Sequence, residues 1–504
     1  MITAVRGLRW TAVRRAAGVR AAAGPRLAVS AGTLSHGQRR QHSVRSSPAD
    51  VEAMVHAEEQ QDLVTLLRQR GLVANVTSDE FENAMRRGQP LAGYCGADPT
   101  AQSLHVGNLL PLLVLVHFGI RGHKMIGLVG GATVELGDPS GRTSERTALS
   151  EVKRTTNQDL IATQLQRMLR NGLAVGQAKG YSRQGELIAC NNADWWRGVT
   201  MLEFMARIGR HVRVGQMLAR ESVKARLGSA EGIGFHEFSY QILQAYDFWH
   251  LHNAEGCDFQ VGGSDQWGNI TAGLDLITRL AREEERPPRP VFGLTVPLLT
   301  TAAGEKFGKS AGNAVWLDAA MTSPFKLYQF FLRSADADVG RYLRMLTLLP
   351  LAEIERVLAA HAAAPERRAA QQVLAEEMTA LIHGGEALKR AQTITNILFA
   401  ARGQQIEHSA ADILAAFAND PDVIAVDRAT IADMTLTRAL AHAGVGSNKR
   451  LTQLVRSGGV YVLEGSDLVR VDDPTRAVAD LALLDGRLLV VRLGKAEHVI
   501  LRVD

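Results

Sequence analysis

The sequence has few cysteines, no long apolar run and, in its first 49 residues, no acidic side chain. Its three cysteines, Cys95, Cys190 and Cys257, are odd in number and far apart; they form no metal-binding spacing and are typical of a reducing compartment. A membrane-spanning helix needs roughly 18–20 consecutive apolar residues, and every apolar run here is shorter. We therefore predict no membrane association.

The segment without acidic residues predicts an import signal. It contains nine arginines together with serine and alanine, which is the composition of a mitochondrial transit peptide. The arginines interrupt its apolar runs, so a secretory signal is not favoured. A basic arm that binds RNA is the alternative. We predict a transit peptide over residues 1–47, cleaved between about 40 and 50, and a location in the mitochondrial matrix.

The rest of the chain is mildly acidic and long enough for several domains. The formal net charge of +5 comes from the first 49 residues, because acidic residues outnumber lysine and arginine by four outside them. Contacts with nucleic acid must therefore come from local basic patches. The composition, 46% hydrophobic and 22% charged, is that of a soluble globular protein, and 504 residues indicate roughly three domains.

Residues 94–108 predict a phosphate-binding turn. An apolar run leads into a turn of Gly, Asp and Pro, and His105-Val106-Gly107-Asn108 then precedes a second apolar run. This order predicts a strand, a polar turn and a helix start, whose free N–H groups favour phosphate. Gly107 would let a ligand approach the backbone closely. His105 and Asn108, three residues apart, would share a helix face.

Other loops that contain glycine also follow apolar runs. Lys124–Val129 leads into residues 130–142, and Phe259–Val261 leads into residues 262–269. Such loops point to an α/β sheet with ligand loops at the carboxyl ends of its strands. The later loop Lys306-Phe307-Gly308-Lys309-Ser310 places two lysines three residues apart, an arrangement that grips phosphate, although lysine pairs in loops are commonly just solvated.

Helical patterns fill much of the remainder. Tyr240, Gln244 and Asp247 lie at i, i+4 and i+7, so they share one helix face. A solvated face is the alternative, but the intervening apolar residues make no clean stripe opposite. The pattern predicts helices over residues 51–73, 149–168, most of 195–251 and much of 324–420, further strands at 186–190 and 294–299, and a short helix pair followed by strands over 434–504.

Together these motifs resemble the class I aminoacyl-tRNA synthetases. His105-Val106-Gly107-Asn108 stands where that class has its HIGH motif, and Lys306 to Ser310 stands where it has KMSKS, about 200 residues later. Four segments are similar to the sequences of tyrosyl-tRNA synthetases of the bacterial and organellar type: residues 94–100, 137–141, 240–247 and 263–269. With the transit peptide, the mitochondrial members are the best match, and the resemblance covers roughly residues 60–500.

The resemblance implies an α/β fold of three domains. A Rossmann-type parallel-sheet catalytic domain is expected over 48–320, with a helical insertion at about 150–240. An α-helical anticodon-binding domain is expected over 321–430 and a small α+β S4-like RNA-binding domain over 431–504. In the latter, Lys449, Arg450 and Arg456 lie on one short helix opposite apolar residues, and we expect them to bind RNA; ordinary solubility is the alternative.

The resemblance also assigns substrate contacts. Tyr94 and Asp138 match residues that hydrogen-bond the phenol of tyrosine. Tyr240, Gln244 and Asp247 match residues that hold the α-amino group, and Gln266 matches a residue near the carboxylate. The residues that match the ATP site are Asp98, Thr100, His105, Gly107, Gly262, Asp265, Lys306, Lys309 and Ser310. The expected catalytic groups are His105, Asn108, Lys306 and Lys309.

The implied reaction joins L-tyrosine to tRNA(Tyr) in two steps. ATP, with Mg²⁺, activates tyrosine to tyrosyl-adenylate, and the terminal ribose of the tRNA then takes the tyrosyl group. No protein-bound metal is expected, and the family is a homodimer. One departure is Asn108, which replaces the second histidine of HIGH and has a neutral N–H₂ donor instead of a cation.

Two alternatives are open. A tryptophan–tRNA ligase shares the fold, but indole has no hydroxyl for Tyr94 and Asp138. A non-catalytic RNA-binding relative, such as an intron-splicing factor, would lack the pyrophosphate exchange that depends on tyrosine.

Overall fold

The computed structural model describes most of the chain after residue 43. The described residues are 44–142, 144–145, 149–229, 232–285, 287, 289–305, 307, 314–399, 409–417, 423–465, 467–494 and 497–504. Val44–Asp504 forms one compact unit. Most of the predicted transit peptide therefore lies outside the described residues.

A six-stranded sheet forms the centre of the first half of the chain. Its strands lie in the order β1-β6-β5-β2-β3-β4. Strands β2 to β6 run parallel, and β1 pairs antiparallel with β6 at the edge. The strands are β1 (Asn75–Val76), β2 (Ala92–Ala97), β3 (Lys124–Val129), β4 (Leu187–Asn191), β5 (Phe259–Gly263) and β6 (Phe292–Val296).

The strand order places a crevice beside β2. The chain passes from β2 to β3 and β4 on one side and returns through β5 and β6 on the other. In such a sheet the crevice outside the carboxyl ends of the two central strands is the usual ligand site. The predicted Rossmann-type sheet is thus confirmed, and its topology places the site at the ends of β2 and β5.

Twenty α-helices surround and extend this sheet in the described part of the chain. They are α1 (Pro48–Glu59), α2 (Leu63–Gln69), α3 (Glu80–Arg86), α4 (Leu109–Gly119), α5 (Glu151–Ala178), α6 (Ala193–Trp196), α7 (Met201–Glu203), α8 (Val214–Leu218), α9 (Glu221–Leu227), α10 (Phe235–Glu255), α11 (Trp267–Glu283), α12 (Pro324–Leu332), α13 (Asp336–Leu346), α14 (Leu351–Ala363), α15 (Ala369–His383), α16 (Gly385–Phe399), α17 (Ala410–Ala416), α18 (Arg428–Ile431), α19 (Leu436–His442) and α20 (Asn448–Arg456).

Helix α4 shows why these segments fold as they do. It is apolar on every side, and almost all of it is buried. A helix of that kind belongs in a core, and α4 packs on the sheet, where Phe118 lies 4.5 Å from Phe259, centroid to centroid. Its Pro111 stands in the first turn, where the missing N–H breaks no helical bond.

The structure moves several predicted boundaries. The helix predicted over 51–73 is two helices, because Asp62 caps α2 with its side chain at the N–H of Thr65. The helical insertion predicted at 150–240 contains β4, which pairs with β3 in the main sheet. Of the described helices in this range, the short ones between β4 and α10 are neither part of the sheet nor long helices that connect its strands. The strand predicted at 294–299 begins and ends earlier, at Phe292 and Val296.

The C-terminal module is a five-stranded sheet with helices α18 to α20. Its strands are β7 (Val423–Val426), β8 (Val460–Glu464), β9 (Asp467–Arg470), β10 (Leu488–Leu493) and β11 (Glu497–Val503), in the order β7-β11-β10-β8-β9. Because β7 pairs with β11, this module begins before the predicted boundary at 431. Its Arg492 lies over the Tyr461 ring at 4.1 Å and donates to the Leu398 carbonyl of α16 at 3.1 Å.

The first described residues are fastened to the helical domain. Ser46 donates through its backbone and hydroxyl to Glu353, and Arg45 pairs with Glu376 and Glu377 at 2.8 and 3.0 Å. Residues 44–47, predicted to be part of the transit peptide, thus belong to the folded unit.

Helix α1 continues this attachment through Glu58. That buried carboxylate accepts from Arg70 and Arg121 at 3.2 Å, from the Tyr181 hydroxyl at 2.9 Å and from the backbone N–H of Leu351 at 2.9 Å. One side chain therefore joins α1 to α2, α4, the end of α5 and α14. In the described part of the chain, no helix has the length and apolar character to cross a membrane.

Candidate active site

Polar side chains from four strand ends meet at the carboxyl edge of the sheet. Asp98 follows β2, Thr133 follows β3, Asn192 follows β4, and Asp265 follows β5. Register explains one of the close approaches: β2 and β3 pair Ala97 with Val129, so the residues after them leave side by side. A Cβ on Gly130 would lie 1.9 Å from Asp98 Oδ1, so that position needs glycine.

Tyr94 provides a buried hydroxyl at the floor of the crevice. Its side chain is 1% exposed, and its hydroxyl has no hydrogen-bond partner among the described residues. Burial raises the pKa of Tyr94 well above its usual value, and the charge of Asp247 adds to the rise. The ring lies 5.4 Å from that of Phe248, so an apolar layer supports it. A buried hydroxyl without a hydrogen-bond partner is costly, so we expect a polar group of a ligand to bond it.

Asp247 is held by three donors from the segment after β4. Its Oδ1 accepts from the indole N–H groups of Trp195 and Trp196, each at 2.8 Å, and its Oδ2 accepts from Asn192 at 2.9 Å. Burial raises the pKa of Asp247 to about 7, and the three donors oppose that rise. Tyr94 and Asp247 thus form one end of the pocket.

A second polar group forms the other end. The Tyr240 hydroxyl donates to Asp98 Oδ2 at 2.8 Å, and Thr133 donates to Asp98 Oδ1 at 2.8 Å. Burial and the charges of Asp98 and Asp138 raise the pKa of Tyr240. Because the phenol stays protonated, its oxygen and the carboxylates beside it form an acceptor cluster suited to a cation.

Asp138 belongs to this second group. It accepts from Gln266 Nε2 at 2.8 Å and from the backbone N–H of Ser140 at 2.9 Å. Gln266 in turn accepts from Gln244 Nε2 at 3.2 Å, and Asn269 donates to Gln244 at 3.1 Å. The network therefore brings together Asp138, Gln244 and Gln266, as the sequence predicted for a single pocket.

Two carboxylates have other neighbours in the structure than the sequence suggested. The sequence placed Asp138 beside Tyr94 and placed Asp247 with Tyr240 and Gln244. In the structure Asp247 is the carboxylate whose charge acts on Tyr94, whereas Asp138 bonds Gln266. The reason lies in α10: Tyr240 and Asp247 share a face, but seven residues separate them by about 10 Å of helix. They therefore lie at opposite ends of the pocket.

The sequence analysis missed the groups that orient these acceptors. Asn192, Trp195, Trp196, Thr133 and Asn269 were given no role, although all bond pocket residues. Asn192 also donates to Thr133 at 3.1 Å, which links the two ends of the pocket. The available signal was position: Asn192 lies two residues after the strand predicted at 186–190.

The first signature forms a tight turn at the start of α4. His105 Nδ1 accepts from the backbone N–H of Gly107 at 3.1 Å, and Asn108 Oδ1 accepts from the backbone N–H of His105 at 3.0 Å. Asn108 is exposed, and its oxygen is used to close the turn, so its amide N–H₂ is the end that suits a phosphate. Thr100 is half-buried in the same stretch and donates its backbone N–H to the carbonyl of Asp98 at 2.8 Å.

Gly107 has a different neighbour from the predicted ligand. A Cβ there would lie 2.6 Å from the Phe307 carbonyl oxygen and 2.9 Å from the His105 ring. The close approach that requires glycine is therefore an approach of the chain's own backbone. It brings the two signatures together, because Phe307 lies within the Lys306–Ser310 motif.

The third glycine loop completes the crevice. Gly262, the next-to-last residue of β5, faces the Gln266 side chain, and a Cβ on it would lie 2.8 Å from Gln266 Cβ. Asp265 is exposed, and one oxygen accepts from Gln266 Nε2 at 3.2 Å. An exposed carboxylate at the end of a central parallel strand is well placed for ribose hydroxyls. Lys306, Lys309 and Ser310 lie outside the described residues.

One group of potential metal ligands occurs in the described residues, away from these loops. Ligand atoms of Glu145, His236 and Glu237 lie within 4.8 Å of one another. Glu237 is buried and already pairs with Arg226 at 2.7 Å. We assign it no metal, and the prediction that the protein binds none of its own stays a prediction.

The predicted RNA-binding helix is α20. Its Leu451 and Val455 are buried, whereas Lys449, Arg450 and Arg456 are exposed on the other side, as predicted. Arg450 pairs with Glu497 at 2.7 Å, which reduces its charge toward a ligand. Arg470, which the sequence analysis missed, packs against Gly458 at the helix end, where a Cβ would lie 2.3 Å from its guanidinium.

Comparison with known proteins identifies the family. Residues 86–400 match the family described as class I tRNA synthetases (W and Y). The mitochondrial tyrosine–tRNA ligase of Saccharomyces cerevisiae is 38% identical over 467 residues, 91% of this chain and 92% of that protein. The tyrosine–tRNA ligase of Desulfitobacterium hafniense is 41% identical over 445 residues, 87% of this chain and 98% of that protein.

A solved structure agrees with these relatives. The C-terminally truncated mitochondrial tyrosyl-tRNA synthetase of Aspergillus nidulans has 36% identity and a TM-score of 0.62, over 70% of this chain and 98% of that one. The matched share of each relative is well above two thirds, and the sheet, the crevice and the paired signatures fit the same enzyme class. The chain therefore belongs to the class I tyrosine–tRNA ligases.

Proposed function

We propose that the crevice binds L-tyrosine along helix α10, with the phenol between Tyr94 and Asp247. The observation that carries this assignment is the buried Tyr94 hydroxyl, which has no partner among the described residues and lies beside a buried carboxylate. Phenylalanine would leave the buried Tyr94 hydroxyl without a partner, so it should be rejected strongly; tyrosine enzymes of this class are the standard example of that selectivity.

The other end of the pocket would hold the α-amino group. Asp138, Tyr240 and Gln244 offer oxygen acceptors there, and an ammonium needs up to three. Gln266, which bonds both Asp138 and Gln244, lies where it can meet the substrate carboxylate. This assignment replaces the predicted one by exchanging Asp138 and Asp247.

ATP would lie across the ends of β2 and β5. Asp98, Thr100, His105, Gly107 and Asn108 line one side, and Gly262 and Asp265 line the other, with Asp265 at the ribose. Mg²⁺ would arrive with the phosphates, as it does in most phosphoryl sites.

The reaction needs positioning and charge stabilisation more than a protein nucleophile. The tyrosine carboxylate attacks the α-phosphorus of ATP in line, and pyrophosphate leaves. The terminal ribose hydroxyl of tRNA(Tyr) then attacks the tyrosyl-adenylate, and AMP leaves. Charge that builds on phosphate oxygens is stabilised by His105, the Asn108 amide and, from the second signature, Lys306, Lys309 and the Ser310 hydroxyl.

Pyrophosphate exchange tests this assignment. Exchange should depend on tyrosine and fail with tryptophan or phenylalanine. In Lys309→Ala the rate of adenylate formation should fall far more than tyrosine affinity, because the lysine acts in the transition state. Equal small effects on both would contradict the role of the lysine. Absence of exchange would favour the non-catalytic RNA-binding alternative.

The active form would be a homodimer. Among the described residues, large exposed apolar side chains concentrate between 201 and 235, where Leu202 is 82% and Phe235 67% exposed. A patch of this kind on a soluble protein marks a protein interface. Phe235→Glu should therefore give monomers in sedimentation, whereas Leu298→Glu, outside the patch, should not. A wild-type monomer would contradict the proposal.

The enzyme would serve translation in the mitochondrial matrix. The acid-free N-terminal segment and the mitochondrial relative support import. Because residues 44–47 bond Glu353, Glu376 and Glu377, cleavage should fall before Val44. The N-terminal sequence of the protein from mitochondria would test this, and a mature N-terminus beyond Ser47 would contradict it. The helical domain and α20 would contact tRNA(Tyr).

A further inference from the structure

The chain that leads into the lysine signature is attached to helix α13 of the helical domain. The Thr300 carbonyl accepts from the Tyr342 hydroxyl at 3.1 Å and from the Arg341 guanidinium. Arg341 also reaches the Thr300 hydroxyl at 3.4 Å and pairs with Asp338 at 3.2 Å. Thr300 therefore has two donors from adjacent residues of one helix, although it follows strand β6 of the catalytic sheet.

The next residues form a closed turn. The backbone N–H of Thr301 donates to the Glu305 carbonyl at 2.9 Å, and the Glu305 N–H donates to the Thr301 hydroxyl at 3.2 Å. Gly304 has φ of +83°, which the turn requires. Because the turn bonds to itself, its placement depends on the contacts at its two ends.

The second end is Phe307, which lies between the two halves of the enzyme. Its ring packs edge-on against Phe330 at 5.8 Å and Tyr342 at 6.1 Å. Its backbone N–H donates to the Leu299 carbonyl at 3.3 Å, and its own carbonyl faces the position where a Cβ of Gly107 would stand. Tyr342 thus contacts both ends of the loop, through its hydroxyl and through its ring.

A cavity borders the loop on the side of helices α12 and α13. A space of about 680 Å³ lies between the loop and helices α12 and α13, bordered by Glu305, Phe307, Phe330 and Tyr342. Side chains that border an open space have fewer neighbours to replace a lost contact. Among the described residues, the contacts of Phe307, Tyr342 and Arg341 are therefore the ones that we expect to place the loop.

We propose that Tyr342 and Phe307, with Arg341, are positioning residues for tyrosine activation: they fix Thr300 and Phe307, between which the chain enters the second signature, relative to the His105–Asn108 turn. This inference rests on the proposed roles of Lys306 and Lys309, which flank Phe307 in the sequence. We assign none of the three residues a contact with substrate. They act because a transition-state contact loses most of its effect when its donor is displaced by about 1 Å.

Single-turnover formation of tyrosyl-adenylate tests the proposal. Phe307→Ala should lower the maximal rate by roughly ten-fold or more, while tyrosine affinity by equilibrium dialysis stays unchanged. Phe307→Leu, which keeps an apolar contact, should recover most of the rate. Tyr342→Phe removes the bond to Thr300 and keeps the ring contact, so its loss should be smaller.

Tyr328→Phe is the matched control. Tyr328 is an equally buried tyrosine on the neighbouring helix α12, and the charges nearest it are Glu376 and Arg45 instead of the loop. Its substitution should leave the rate unchanged.

The outcomes separate this inference from the proposed function. If Phe307→Ala and Tyr342→Phe keep the full rate while Lys309→Ala loses it, the positioning role is wrong and the lysine role stands. If Lys309→Ala also keeps the full rate, the proposed function of the loop is wrong, and the inference fails with it. If rate, tyrosine affinity and melting temperature all fall together in Phe307→Ala, the residue is only structural, and the positioning role is again overturned.

Discussion

At the scale of single residues, Asp247 shows how a pocket can hold a buried charge. The side chain is 2% exposed, and two indoles and one amide donate to it from one short segment. Desolvation opposes the ionised form, and hydrogen bonds to the charged oxygens favour it. With its pKa raised to about 7, this carboxyl group changes charge near neutral pH.

The affinity for tyrosine should depend on that charge. The ionised form of Asp247 is the better acceptor for a phenol, so the KM for tyrosine should fall as pH rises through about 7. Asp247→Asn should raise this KM and remove its pH dependence, while the KM for ATP serves as the internal reference. A pH profile that is the same in Asp247→Asn and in the wild type would contradict the assignment.

The same shift affects stability with a defined sign. A carboxyl group whose pKa is higher in the folded protein than its unfolded value of about 4 binds its proton more tightly when folded. For Asp247 alone, the free energy of unfolding therefore decreases as pH rises from about 4 to 7. In the proposed binding mode tyrosine binds the folded protein with Asp247 ionised, so added tyrosine should compensate for that loss.

The pocket residues were predictable as a set but not in their partners. Spacing on α10 predicted that Tyr240, Gln244 and Asp247 share a face, and they do lie on one helix. Helix periodicity carries no information about which distant residue meets each turn. Among the neighbours of Asp247 are Asn192 and Tyr94, which approach from β4 and β2. The pairing of Asp247 with Tyr94 was therefore missed.

At the scale of elements, the start of α4 depends on one amide. Asn108 Oδ1 closes the turn at the His105 N–H, and the helix that follows is almost wholly buried. The predicted strand, turn and helix were found because an apolar run, a Gly/Asp/Pro turn and a second apolar run are local signals. The role of the Asn108 oxygen was missed because sequence alone does not show which end of an amide faces the backbone.

Two substitutions at Asn108 distinguish the role of its amide oxygen from that of its N–H₂ group. Asn108→Asp keeps the acceptor at the His105 N–H but replaces the donor by a negative charge, so adenylate formation should fall while the melting temperature is maintained. Asn108→Ala loses both, and should also cost about 1 kcal/mol of stability. Thermal denaturation and single-turnover kinetics on the two variants measure this. Equal melting temperatures for Asp and Ala would contradict the role of the oxygen.

At the scale of the molecule, the N-terminal segment joins the catalytic and helical domains. Ser46 and Arg45 bond residues more than 300 positions away, and Glu58 bonds four separate elements. Composition predicts a basic leader that ends near residue 47. It could not predict that residues 44–47 dock, because partners so distant in sequence are set by the fold.

Glu58 should matter for stability more than any exposed neighbour. Glu58→Gln leaves the charges of Arg70 and Arg121 buried without their partner, so the free energy of unfolding should fall by about 3 kcal/mol. Glu59→Gln, the adjacent and less buried position, should change it little. Urea denaturation of both variants measures this difference. Equal losses in the free energy of unfolding would show that the buried network does not stabilise the protein more than the less buried Glu59 does.

The ring of donors around Asp247 has a consequence for engineering. A designer who wants this enzyme to load a tyrosine analogue without the phenol hydroxyl would first replace Asp247 by an apolar residue. That change would leave two indole N–H donors and one amide N–H donor in the interior without their acceptor, at a cost of about 1–3 kcal/mol each. Trp195, Trp196 and Asn192 must therefore be substituted together with Asp247. An effort to expand the genetic code with this enzyme would have to redesign these four residues, from two segments, at the same time.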